Sequence, residues 1–205
     1  MKKLTGWLVV ASFLTACSGI LPEMVGEPPA LYELAAPEHP AVPDGPPLKS
    51  QLLVDIPQSS AGIDSPRIAL TRADGTLAYY KDVSWTDRAP VMFQTLLVST
   101  FDHSGRMPFV GLENIGLRGD FLLKSDLGLL QADYSAGTPP LIRVGLRVKL
   151  VTMPRRVILS GSEFTSEIKA EADNMEAVSK AFRQATDDVL SQLVTWTVER
   201  ISETE

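Results

Sequence analysis

Cysteine is almost missing from this chain: its 205 residues contain one, Cys17. A lone thiol closes no intrachain disulfide, so the core must hold without that constraint, and a cysteine-built metal cluster is excluded. Histidine is nearly as scarce, with two. His39 lies in a proline-rich stretch, and His103 sits at a predicted helix end, where the dipole favours a cation. A triad through His103 and Ser104 lacks both a Gly-x-Ser-x-Gly elbow and a marked acid partner. Two histidines without clustered carboxylates make a poor zinc site, and Asp64, Asp120, Asp126 and Asp133 lack the spacing of a calcium loop. The glycines between Gly111 and Gly119 follow neither a dinucleotide nor a Walker pattern, so any ATP chemistry would belong to another subunit.

Positive charge is also in deficit. Nineteen Lys and Arg face 25 Asp and Glu, a formal net charge of −6. Phosphate backbones need clustered cations, so nucleic acid is not expected as a partner. The same balance argues against a polybasic membrane contact. Beyond the first 13 residues no apolar run is long enough to cross a bilayer core of about 30 Å as a helix.

What is present at the start is specific. Lys2 and Lys3 precede an apolar run from Leu4 to Phe13, followed by Leu14-Thr15-Ala16-Cys17. A basic start, a short apolar core and small residues before a break form a secretory signal peptide. Leu14 to Cys17 resembles the lipobox of bacterial lipoproteins. The resemblance implies cleavage between Ala16 and Cys17, and fatty acylation, palmitate among the acyl groups, of the Cys17 sulfur and its new amino terminus. Acyl chains would then supply the membrane anchor; two or more chains hold stably where one holds marginally. Residues 1–16 are thus expected to be the signal peptide. Residues 17–30, with Pro22, Pro28 and Pro29, are expected to form a lipidated, semi-rigid tether, and residues 31–205 one domain.

Within that domain, Tyr32 and Leu34 suggest a short first strand. Five prolines in residues 35–47 forbid helix or central strand, so a surface loop is expected. Residues 51–56 form an apolar run ended by Pro57, a buried strand. Two β-rich runs, 67–71 and 76–80, flank Ala73-Asp74-Gly75 as a hairpin. Asp87 is placed to cap a helix reaching Phe101, with Phe93, Leu96, Leu97 and Phe101 as its apolar stripe. A short strand or a turn is expected at Phe109-Val110, and a longer strand of open register over 121–134. Ile142, Val144, Leu146, Val148 and Leu150 alternate with Arg143, Gly145, Arg147 and Lys149, giving a strand with one dry and one wet face. The return strand runs from Val157 to Ile168, with Gly161 as a candidate bulge. Asp173, with Glu176 three residues on, is placed to start a final helix of about six turns. Its buried face would carry Val178, Phe182, Ala185, Val189, Leu193 and Trp196.

The stretch 51–104 carries a second resemblance. Leu52-Leu53-Val54 before Pro57, Ile63 to Ile68, Leu77-Ala78-Tyr79-Tyr80, and Trp85 leading into a helix that stops at Ser104-Gly105 resemble the ABC-type transport auxiliary lipoproteins. The lipobox, Tyr32-x-Leu34 and the final helix with Trp196 fit the same family. The resemblance implies an α/β fold, a three-layer α/β/α sandwich with a mixed sheet like that of anticodon-binding domains. It also implies a non-catalytic accessory lipoprotein on the periplasmic face of the envelope. The implied partners are an ABC permease, an ATPase and an MCE-domain protein that moves lipid between membranes. No cofactor beyond the lipid on Cys17 is implied. Ser18 after the cysteine, by similarity to known sorting rules, favours the outer membrane over the inner. A stand-alone envelope lipoprotein with a structural or ligand-binding role is the alternative, and homo-oligomerisation stays open.

Two groups of residues are candidates for contact with lipid or partner. Tyr79 and Tyr80 sit beside Trp85, and Tyr and Trp favour interfaces. The competing reading alternates them between core and surface and sends Trp85 inward. Arg143, Arg147 and Lys149 form a basic row that either meets lipid phosphates or an acidic partner, or is simply the solvated face.

Overall fold

A computed structural model describes residues 28–205. The expected signal peptide, Cys17 and most of the expected tether lie outside the described residues. One nine-stranded mixed sheet and two helices make up the rest. The chain order is β1 (Ala30–Tyr32), β2 (Gln51–Val54), β3 (Gln58–Ser59), β4 (Arg67–Thr71), β5 (Leu77–Trp85), α1 (Ala89–His103), β6 (Phe109–Leu112), β7 (Phe121–Asp133), β8 (Leu141–Thr152), β9 (Val157–Lys169) and α2 (Met175–Ser202). A 3-10 turn, Glu113–Ile115, lies between β6 and β7.

Strand β7 is the spine. One of its edges takes β8 and then β9, both antiparallel. Its other edge takes β2, β3 and β4 in succession, each parallel and each covering a different stretch of β7. Strand β6 extends the sheet beyond β2, and β5 then β1 extend it beyond β4. The hairpin β4–β5 closes as its sequence dictates: Arg72 and Gly75 bond across the turn, and Gly75 adopts φ +81°, a conformation open to glycine.

Both helices lie on one side of the sheet and touch each other, sharing a single core. The inward residues of β8 (Ile142, Val144, Leu146, Val148, Leu150) meet Val178, Phe182, Ala185, Val189 and Leu193 of α2, all buried. Each of these side chains larger than Ala contributes about 1.5–3 kcal/mol by leaving water. Trp85 is fully inside, its ring edge-on to Phe182 at 5.2 Å. The α/β architecture and mixed sheet stand as the resemblance implies. Among the described residues the opposite face of the sheet carries no α-helix.

Several local expectations are corrected. Asp87 does not cap α1; Arg88 occupies the cap position without a side-chain bond, and the Asp87 carboxylate takes only the Arg88 N–H. Asn174, not Asp173, caps α2, accepting from Ala177 N at 2.9 Å. Asp173 instead accepts from the Tyr134 hydroxyl at 2.7 Å. Helix α2 has 28 residues, nearly eight turns rather than six. Its Trp196 is half-buried and leans on Phe164 with ring centroids 5.9 Å apart, outside the fully buried stripe. The bulge in β9 falls at Leu159, since Ser160 pairs Leu150 while Ile158 pairs Val151; Gly161 stays in register with Lys149.

The proline-rich stretch 35–47 is a strap rather than a loose loop. His103 Nδ1 donates to Pro37 O at 2.9 Å, and Thr195 Oγ1 donates to Ala41 O. The Arg106 guanidinium donates to the carbonyls of Pro43 and Pro46. Prolines cannot donate backbone hydrogen bonds, so the two helices hold this segment by its carbonyls. Leu34, Pro40 and Leu48 bury themselves along it.

Candidate functional site

The side chains that alternate away from the helices line the helix-free face of the sheet. Strand pairing sorts them into transverse rows. The lowest complete row is apolar: Leu53, Leu122, Val151 and Ile158 stand side by side on β2, β7, β8 and β9. Leu53, Leu122 and Val151 form a small second core, with Met153 against it. Gly111 of β6 continues the row, and a Cβ there would lie 3.2 Å from Leu117 Cδ1, so Leu117 fills the space the glycine leaves.

The next row is charged. Lys124 and Lys149 face each other across β7 and β8, a like-charge pairing that strands usually avoid. Asp55, just past β2, relieves it by holding Lys124 Nζ at 2.7 Å. Above them stand Gln58, Asp126, Arg147 and Glu163, with Arg147 3.7 Å from Asp126. Gly161 adds no side chain, so these two rows enclose an open hollow of about 440 Å³ walled by Lys124, Asp126, Arg147, Lys149 and Glu163.

Farther up, Tyr79, Ala69, Gln131, Arg143 and Glu167 occupy one row across five strands. Arg143 reaches Glu167 at 2.6 Å and Asp133 at 3.1 Å. Hydrogen bonds from Ser135, and then the Arg143 guanidinium, hold the Asp133 carboxyl below the usual carboxylate range, against its own desolvation. Tyr79 is sandwiched: its ring lies under the Arg67 guanidinium at 3.7 Å, and its hydroxyl donates to Gly62 O.

The four surface residues named from the sequence therefore divide. Tyr79, Arg143 and Arg147 share the helix-free face. Tyr80 points to the helix side, where its hydroxyl donates to Tyr134 at 2.8 Å and Tyr134 in turn donates to Asp173. Burial and that donated bond push the Tyr80 pKa well up. This chain of hydroxyls ties the hairpin to the residue that follows β7 and to the segment just ahead of α2. Sequence reading missed Lys124, Asp55 and Glu163. The signal that would find them is the pairing register of β7 with its neighbours, which one strand alone does not reveal.

Two histidines and scattered acids gather into nothing that resembles a metal centre among the described residues. His103 serves the strap, and the Ser104 hydroxyl donates to Phe101 O, so the two do not form a catalytic pair. What the helix-free face offers is a flat, charge-patterned surface with a shallow hollow, which suits docking.

Comparison with known proteins agrees on the architecture. The crystal structure of protein XCC0632 from Xanthomonas campestris is similar at 28% identity and a TM-score of 0.79, covering 85% of this chain and 98% of that one. A crystal structure of an uncharacterized protein is similar in fold at 14% identity and a TM-score of 0.62, covering 85% and 99%. No curated protein matches the sequence. The family described as the ABC-type transport auxiliary lipoprotein component matches residues 32–194, from β1 through most of α2. Hairpin, buried Trp85 and helix-backed sheet all lie within the matched span, and the chain belongs to the ABC-type transport auxiliary lipoprotein family.

Proposed function

We propose that this protein is a non-catalytic accessory subunit of an MCE-type ABC transporter that moves lipid between the inner and outer membranes. Membership of the auxiliary lipoprotein family carries the reading. In it, Cys17 is acylated after cleavage behind Ala16, and Ser18 directs the protein to the outer membrane. The folded domain stands in the periplasm and docks an MCE-domain protein, while the permease and ATPase supply energy from the inner membrane. A tether over residues 17–30 reaches on the order of 40 Å at about 3.1 Å per residue. That lifts the domain from its leaflet without spanning the periplasm, so the partner bridges the remainder.

The docking surface in this reading is the helix-free face around Arg143 and Arg147. Photocrosslinkers at these two positions should capture the MCE-domain protein in cells, and a deletion strain should show altered outer-membrane permeability. Unchanged lipid traffic together with no capture from any exposed face would replace this reading with a stand-alone envelope lipoprotein. The anchor is tested separately: Cys17→Ser should abolish cleavage at this site and fatty-acid labelling.

A further inference from the structure

The overall charge of the chain hides a local reversal. At the lower end of the helix-free face, the apolar row runs out into solvent at both flanks. Phe109 and Leu117 on one side and Ile158 on the other are each 56–60% exposed, with Val157 beside Ile158 at 56%. Between them Leu53, Leu122 and Val151 are already dry, so the exposed side chains rim one continuous apolar strip across five strands. Monomeric proteins seldom leave such strips uncovered.

Cations border the strip. Arg118 adjoins Leu117, Arg155 stands in the turn after Met153, and Lys149 lies one row above, all exposed. Arg156 reaches the 3-10 turn at Glu113, 3.5 Å away, which fastens the two flanking loops to each other. Three of the acids nearby are engaged, Asp55 with Lys124, Asp120 with Gln51 N, and Glu113 with Arg156, while the exposed Asp102 lines the same edge as Phe109, Leu117 and Arg118. An acidic protein of net charge −6 therefore presents an apolar strip fringed by Arg and Lys at one end only.

We propose that this end of the sheet lies against a bilayer containing anionic lipid. Phe109, Leu117 and Ile158 enter the headgroup boundary, and Arg118, Arg155 and Lys149 meet phosphates. Apolar residues inserted at the interface with cations at the headgroup level is the arrangement by which surface segments bind such membranes, with charge supplying part of the attraction. The proposal concerns contact by the folded domain itself and does not depend on the transport partner.

The test uses the acylated full-length protein on vesicles of phosphatidylethanolamine and phosphatidylglycerol. With Cys17 acylated, an introduced cysteine is the sole free thiol, and unlabelled wild type serves as the check. An environment-sensitive NBD probe is placed by Leu117→Cys or Ile158→Cys. A control probe at Leu77→Cys sits at the far end of the sheet, roughly 35 Å away at about 3.3 Å per residue. Probes at 117 and 158 should shift to the blue and be quenched by brominated lipid, while the probe at 77 should not. The Lys149→Glu and Arg155→Glu variants, which leave the apolar strip intact, should each weaken that quenching about five-fold or more. Pure phosphatidylcholine vesicles should give little quenching at any position. Equal quenching at 77 and 117 overturns the proposal, as does quenching indifferent to anionic lipid. So do probes at 117 and 158 that stay aqueous on the anionic vesicles. Because no partner is present on the vesicles, each of these results leaves the transport reading to its own crosslinking test.

Discussion

Replacing Trp85 by Ala should damage the domain more than any other single aromatic truncation. Trp85 ends β5, its amide N–H donates to Pro66 O at 2.7 Å, and its ring stands edge-on to Phe182 of α2 at 5.2 Å. It is 2% exposed, so Ala would leave a cavity bounded by hairpin and helix. Truncating a buried Trp costs about 3–5 kcal/mol. Of that, about 0.5–1.5 kcal/mol belongs to the edge-to-face pair beyond simple burial. For a domain of this size each kcal/mol moves the melting temperature by about 2–4 °C, so a fall of about 10–15 °C is expected. Thermal unfolding followed by near-ultraviolet circular dichroism, which reports aromatic packing, measures it. A cycle with Phe182→Leu isolates the pair and should return a coupling of about 1 kcal/mol. A melting temperature within about 3 °C of wild type, the shift expected from about 1 kcal/mol, would refute the central place given to this side chain.

Trp196→Ala should cost about 1.5 kcal/mol in urea unfolding, because that ring is half-buried against Phe164; a loss as large as that of Trp85→Ala would mean it is enclosed. Tyr134→Phe removes the bond to Asp173 and the acceptor of Tyr80, and should lower stability by about 1–2 kcal/mol at pH 7. Burial raises the Tyr80 and Tyr134 pKa values, so their stabilisation is complete below the unfolded tyrosine value of about 10 and is lost as pH rises through the folded values. An alkaline urea series should show stability falling above about pH 10, with a shallower fall in Tyr134→Phe. Asp133 has a lowered pKa, so its contribution is present above about pH 4 and fades as pH falls through the folded value. Asp133→Asn should therefore flatten the acid limb of the stability profile, and an unchanged limb would remove Asp133 from that role.

Local periodicity revealed the elements whose burial alternates or repeats strictly. Strand β8, the β4–β5 hairpin and both helices were legible because one face of each meets a single continuous core. The α2 cap lies one residue past Asp173 because Asp and Asn are near-equal acceptors and the Tyr134 hydroxyl claims Asp173, whereas at α1 the cap position falls to Arg88, which makes no side-chain bond there. Trp196 followed the helical period yet stayed half-buried, because β9 beneath it offers Phe164 at one side only. The parallel pairings of β2, β3 and β4 with β7 join residues about 60 to 70 positions apart, for which a single sequence carries no local signal. The cationic end of the helix-free face was hidden for the same reason. Arg118, Lys149 and Arg155 are dispersed along the chain and gather only when the strands register, so a net charge of −6 pointed away from them.

The strap over residues 35–47 has a mechanical consequence. A load applied from the amino-terminal side reaches β1 first among the described elements, and β1 holds β5 through only three residues. Once that short ladder shears, the force passes to the strap, whose carbonyls are gripped by His103 of α1, Thr195 of α2 and Arg106 just past the end of α1. The sheet's long central ladder, β7 with β8 and β9, lies beyond that second catch and bears tension last. Stretching a single molecule from its amino terminus should thus yield two small yielding steps ahead of the main rupture, and Arg106→Ala should erase the second of them. A lipoprotein built this way can give length under strain while its working face stays folded.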